Sequence, residues 1–235
     1  MGNIDKIRKT SIWIFILPVV ALNLCLFISV NYNIFENTIF IVDQVGRTGF
    51  TIPYIDGNVS ISRTARGYPA YLIFKPAMIL TAILVIKYWF ENNKLLGAVK
   101  NEEGKKNYFF IFGVGSAIFL ILHSIFLGIK FDYDLYKLFR RFVILAFIIF
   151  ELVAQALLVI NIFKIKEKIE KRINKKILIL KIVLVSFLSI VSIASIPFLI
   201  SSGYTHFKHA LEWNYFIGVV LFYFLSFLFW KKETS

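Results

Sequence analysis

Apolar residues in this chain come in long blocks rather than in stripes. Six runs carry few charges: 11–30, 70–90, 108–127, 141–163, 177–200 and 211–230. Each is close to the roughly 20 residues of helix that cross a hydrocarbon core. Lipid offers no hydrogen-bond partner to backbone N–H and C=O groups, so a run of this kind spans as a helix. The pattern predicts an all-α, polytopic membrane protein. Its six transmembrane helices form one bundle, a single transmembrane domain over 1–235 with no separate soluble domain.

The longest stretch between blocks is 31–69. It holds Gly46, Gly49, Pro53, Gly57, Gly67 and Pro69, which interrupt regular helix through most of its length. The segment TGFTIPYI reads as a short strand or as a surface-lying piece. One long loop and two short ones on the same side suggest that the long one folds over the bundle as a lid. Asn58-Val59-Ser60 matches the glycosylation sequon, a three-residue pattern that chance often produces.

Composition agrees with the blocks. The chain is 58% hydrophobic with 26 Phe, and its mean hydropathy is +0.74. Soluble domains are nearer half apolar. The formal net charge of +13 raises the question of nucleic acid, but the distribution of charge answers it. With six alternating spans, 18 of the 27 Lys and Arg fall on the side of the two termini and 9 on the other. That bias predicts both termini in the cytoplasm. The basic residues then report topology and contact with anionic headgroups, and no nucleic-acid partner is expected. The first block follows a basic start, but it is long for a signal peptide and no A-x-A site follows it, so it reads as an uncleaved span. The single cysteine, Cys25, sits inside that span and allows no internal disulfide or cysteine metal site.

Charged groups deep in a span are costly and usually face the bundle interior. Glu151 is the clearest case, with Gln155 one turn later on the same face. His123 lies in the third span. At 1.5 Å per residue His123 and Glu151 sit at about 10 and 14 Å depth, near enough to pair if their helices are neighbours. Two readings stand for this buried polar set of His123, Glu151 and Gln155. One is an acid/base pair, with His123 and Glu151 as the catalytic candidates. The other is interhelical glue. A second group gathers at the outer rim: Arg63, Arg66 and Lys75, then Arg140 and Arg141, then His206, His209 and Glu212. A planar guanidinium donates two hydrogen bonds at once and so suits phosphate. Charges at helix ends also snorkel to the interface without any ligand. His206, His209 and Glu212 run at i, i+3, i+6 but match no zinc motif, so no metal is assigned and no cofactor is expected. There is no G-x-S-x-G, no P-loop and no cysteine nucleophile beside a histidine.

The run PYIDGNVSISRTARGYPAYLIF resembles the first luminal loop of the Frag/DRAM/Sfk superfamily, through Pro53, Ile61-Ser62, Thr64-Ala65, Pro69 and Ile73-Phe74. The last span, opening with Glu212-Trp213 and continuing through aromatic residues, is similar to that superfamily's last span. The group includes DRAM-type autophagy modulators and factors that remodel the lipid of GPI anchors. The resemblance implies six spans with cytoplasmic ends, and lipid remodelling or lipid-linked regulation on the luminal side. The expectation is a protein that engages membrane lipids by phosphate-bearing headgroups. Arg63 and Arg66 would hold phosphate, Ser62 and Thr64 would donate hydrogen bonds, and Glu212 would position a cation or hydroxyl. His123 with Glu151 would floor the pocket. The alternatives are a membrane-embedded enzyme of acyl transfer or hydrolysis, and a small-solute transporter.

Overall fold

The computed structural model describes residues 3–36, 38–39, 42, 49–100, 107–129 and 134–232. Gly46, Thr48 of the TGFTIPYI segment and residues 130–133 of the second loop lie outside them. Eight α-helices follow one another: α1 (Asn3–Val30), α2 (Pro53–Asp56), α3 (Ile61–Arg66), α4 (Ala70–Lys100), α5 (Tyr108–Phe126), α6 (Asp134–Lys164), α7 (Lys175–Ile200) and α8 (Thr205–Phe229). Six are long and apolar enough to cross a membrane. The described residues contain no strand beyond one isolated bridge between Ile173 and Trp230, so Pro53–Asp56 is a helical turn where a strand was one expectation.

The surface explains why the helices need lipid. Phe187, Ile190 and Ile193 on α7 are 60%, 66% and 70% exposed, and every long helix carries such outward residues. In water this apolar face would be an association site; in a bilayer it is ordinary. The spans start and stop close to the sequence boundaries, but α1 begins eight residues earlier, at Asn3, because its basic first turns also hold helix. Likewise α4 continues past Phe90 to Lys100. Hydropathy ends where charge begins, whereas backbone hydrogen bonding carries on into the interface.

The six long helices pack in a ring. α5 lies against α6 and α4, α1 against α4 and α8, and α7 against α8 and α6. Six traversals return the chain to the end it started from. We call this the terminal end, and the opposite one the loop end. At the terminal end Arg8 donates to the carbonyl of Trp230 at 2.7 Å. The 3-10 turn Glu170–Arg172 is tied to the tail by Lys231 N–H to Arg172 O and Asn174 N–H to Phe229 O, each 2.9 Å.

Small residues set the helix spacing. Trp89 is fully buried with its indole flat on Gly113; a Cβ there would lie 2.4 Å from the ring. Phe150 uses Gly115 in the same way. A ladder of aromatic pairs fills the α5–α6 seam toward the loop end: Phe112 with Phe150, Phe150 with Phe119, Phe119 with Phe142, and Phe126 with Phe139.

Candidate functional site

At the loop end the segment from Thr51 to Pro69 is docked rather than free. Asp56 closes its first turn. Its carboxylate accepts from the Thr51 hydroxyl at 2.8 Å and from the N–H groups of Ile52 and Asn58 at 2.9 Å each. Slight burial works against that charge, and the hydrogen bonds outweigh it, so the Asp56 carboxyl is held below its ordinary range. Gly57 follows at φ +58°, where a Cβ would lie 1.7 Å from the His206 carbonyl oxygen. Only glycine permits both the left-handed turn and that approach to α8. His209 Nδ1 donates to Gly57 O at 2.9 Å, and Trp213 Nε1 donates to Val59 O at 2.9 Å.

Next comes α3. Ser60 is its N-cap, the hydroxyl accepting from Arg63 N–H at 3.2 Å. The Glu212 carboxyl lies near the N–H groups of Ile61 and Ser62 at the start of α3. A carboxylate at a helix N-terminus satisfies otherwise orphaned donors and suits the positive end of the dipole. The stretches around Ser62 and around Glu212, 150 residues apart, are therefore one structural unit.

Two of the sequence candidates sit against the protein's own backbone. Glu212 lies near the first N–H groups of α3. Thr64 is fully buried; its hydroxyl donates to Ile61 O at 2.8 Å, and its carbonyl accepts from Ser29 Oγ at 2.8 Å. Ser62 is half-buried, its hydroxyl 3.3 Å from that of Ser60. Arg63 and Arg66 are exposed on the outer face of α3, and neither makes an ion pair among the described residues. Lys75 donates to Ile125 O at 3.2 Å, and Arg140 stacks over Tyr136 at 5.9 Å. Among the described residues no group of three His, Cys, Asp or Glu could hold a metal ion.

His123 and Glu151 are not brought together. The charge felt by His123 is that of Arg140. Glu151 lies lower, level with Ser116, two turns inward of His123 on α5. Depth along the two helices allowed the pair, but the relative positions of α5 and α6 set a different partner. Glu151 is 1% exposed at the middle of its span. Its Oε2 is 2.6 Å from Ser116 Oγ, and its Oε1 accepts from Tyr223 at 2.5 Å and from Gln155 Nε2 at 2.9 Å. Gln155 also donates to Val219 O at 3.2 Å.

A second buried charge is one that the sequence did not single out. Lys181 on α7 has no exposed surface. Its ammonium donates to Ser226 Oγ at 2.7 Å and sits 4.0 and 5.3 Å from the ring centroids of Phe222 and Phe229. Ser226 is 2.8 Å from Tyr88 OH, and Tyr88 meets Tyr223 edge-on at 4.9 Å. The signal for Lys181 was its place five residues inside an apolar run. Nothing along the sequence marked Ser226 as its partner, or Ser116 and Tyr223 as those of Glu151.

The helical bundle and its composition define a multi-pass membrane protein. Compared with known protein families, characterised proteins and solved structures, the chain has no match.

Proposed function

We propose that this protein engages phosphate-bearing lipid headgroups at its loop end, with both termini in the cytoplasm and the loop end facing outward. The observation that carries the reading is the pair Arg63 and Arg66. They stand one turn apart on a short helix at the rim beside Glu212, Ser60 and Trp213, and they are exposed without an ion-pair partner among the described residues. Guanidinium groups left unneutralised at headgroup depth favour phosphate, in two-hydrogen-bond geometry. The Asp56 carboxylate nearby is engaged by the Thr51 hydroxyl and the N–H groups of Ile52 and Asn58. The resemblance of Ile61-Ser62, Thr64-Ala65 and Glu212-Trp213 to the Frag/DRAM/Sfk pattern adds a context, lipid remodelling or lipid-linked regulation. In this reading Thr64 and Glu212 shape the loop and the arginines bind.

The test is native mass spectrometry of protein extracted in mild detergent, wild type beside the Arg63→Ala/Arg66→Ala double variant. Retention of one anionic headgroup class by the wild type, and its loss from the variant, is expected. The same lipid mixture on both proteins would remove the proposal.

A further inference from the structure

The surroundings of Glu151 satisfy its carboxyl in two protonation states. Ser116 has a single hydroxyl hydrogen and two acceptors in reach, Gly113 O at 2.8 Å and Glu151 Oε2 at 2.6 Å. A hydroxyl donates once. The count closes in two ways. With a proton on Oε2, Glu151 donates to Ser116 and Ser116 donates to Gly113 O. Without it, Ser116 turns its hydrogen to Oε2. In both states Tyr223 and Gln155 donate to Oε1, so a complete set of hydrogen bonds exists with and without the proton.

We propose that Glu151 is a reversible intramembrane proton-binding site that exchanges its proton toward the terminal end. Release breaks the Oε2–H bond, leaves the electron pair on the carboxylate, and passes the proton to solvent on that side. Direction follows from the lining. Toward the loop end the α5–α6 seam is the aromatic ladder from Phe150 to Phe139, and the polar pair Ser192–Tyr215 on that side lies between α7 and α8. Toward the terminal end come Gln155, Tyr223, Tyr88, Ser226 and Lys181, then Asn161 accepting from Lys100 at 2.6 Å. On this side Trp89 Nε1, Asn92 Oδ1 and Gln155 Oε1 are buried without a hydrogen-bond partner among the described residues.

The titratable groups acting around Glu151 are Tyr88 from α4 and Tyr215 and Tyr223 from α8. α5 supplies Ser116, with His123 two turns away, and α7 supplies Lys181 through Ser226.

Infrared spectroscopy of the full chain in lipid tests this. A carboxylic-acid C=O band is expected at neutral pH in wild type. It should be absent in Glu151→Gln, and it should convert to the carboxylate band as pH is raised. Should that variant not fold, carboxyl-¹³C glutamate shows that the band belongs to a glutamate, and its shift in Ser116→Ala assigns it to Glu151. In vesicles of known orientation, conversion follows a pH rise on the terminal side first. No acid band at neutral pH, a band that persists to the highest pH at which the fold survives, or conversion driven first from the loop side would each overturn the proposal.

Discussion

Tyr223 donates its phenolic hydrogen to Glu151 Oε1 across 2.5 Å, joining the last span to the fourth near the middle of the bundle. Both groups are almost wholly buried, so the bond is isolated from competing water. It follows that Tyr223→Phe, which keeps the ring contacts with Tyr88 and Phe222, isolates the hydrogen bond. A loss of about 1–2 kcal/mol is expected, because Oε1 retains only Gln155 as a donor. Thermal unfolding in detergent, wild type beside variant, measures it; an unchanged midpoint would mean the bond contributes nothing to stability.

Gly113 sets the distance between α4 and α5. Gly113→Ala would place a methyl 2.4 Å from the Trp89 ring, and that ring is fully buried without room to retreat. Overpacking of this kind costs about 1–3 kcal/mol. Gly49, whose Cβ position meets nothing within 4 Å, is the control for simple loss of glycine, although its φ of +108° carries backbone strain of its own. A fall in folded yield for Gly113→Ala is the expected result, read by size-exclusion chromatography.

Lys181 offers a sharper separation of stability from function. Its ammonium has one hydrogen-bond partner, Ser226, and Ser226 keeps Phe222 O and Tyr88 when the lysine is replaced. Lys181→Met therefore leaves no polar atom newly orphaned. Replacing a buried charge by a side chain of similar volume is often neutral or stabilising. Equal or higher thermal stability is expected, and a large loss would show that the cation is required for packing.

The turn closed by Asp56 is sensitive to acid. Its carboxyl titrates below the ordinary value near 3.8 in the folded state. The stabilisation it provides is present above that unfolded value and is lost as pH falls through the lower folded one. Protection of residues 51–60 from protease or hydrogen exchange should hold at neutral pH and fail only in strong acid. Asp56→Asn should show weakened protection already at neutral pH. Equal protection of both proteins at neutral pH would count against the role of the carboxylate.

The spans were legible because length and apolarity along the chain are what a bilayer demands. Glu151 was legible because a carboxylate among isoleucines and phenylalanines has no bland surface explanation. Its partners were not. Serine and tyrosine are common in spans, and which of them meet depends on rotation about each helix axis, fixed here by contacts such as Trp89 on Gly113. That is also why depth suggested His123 for Glu151 and the fold supplied Ser116. Glu212 was visible as an acid at a helix end. Its place beside Ile61 and Ser62 needed the long loop to be folded back, a relation no local pattern carries. Lys181 was hidden by its nearness to a basic loop, where one more lysine looks ordinary.

The tie at the terminal end has a bearing on how the protein is made. Arg8 in the first helix waits for the carbonyl of Trp230, and the turn at Arg172 waits for Lys231. Neither contact can form until the sixth span has been synthesised. The bundle is thus closed last between its first and sixth spans, and a nascent chain stalled inside the sixth span would hold five helices in the membrane with that seam still open.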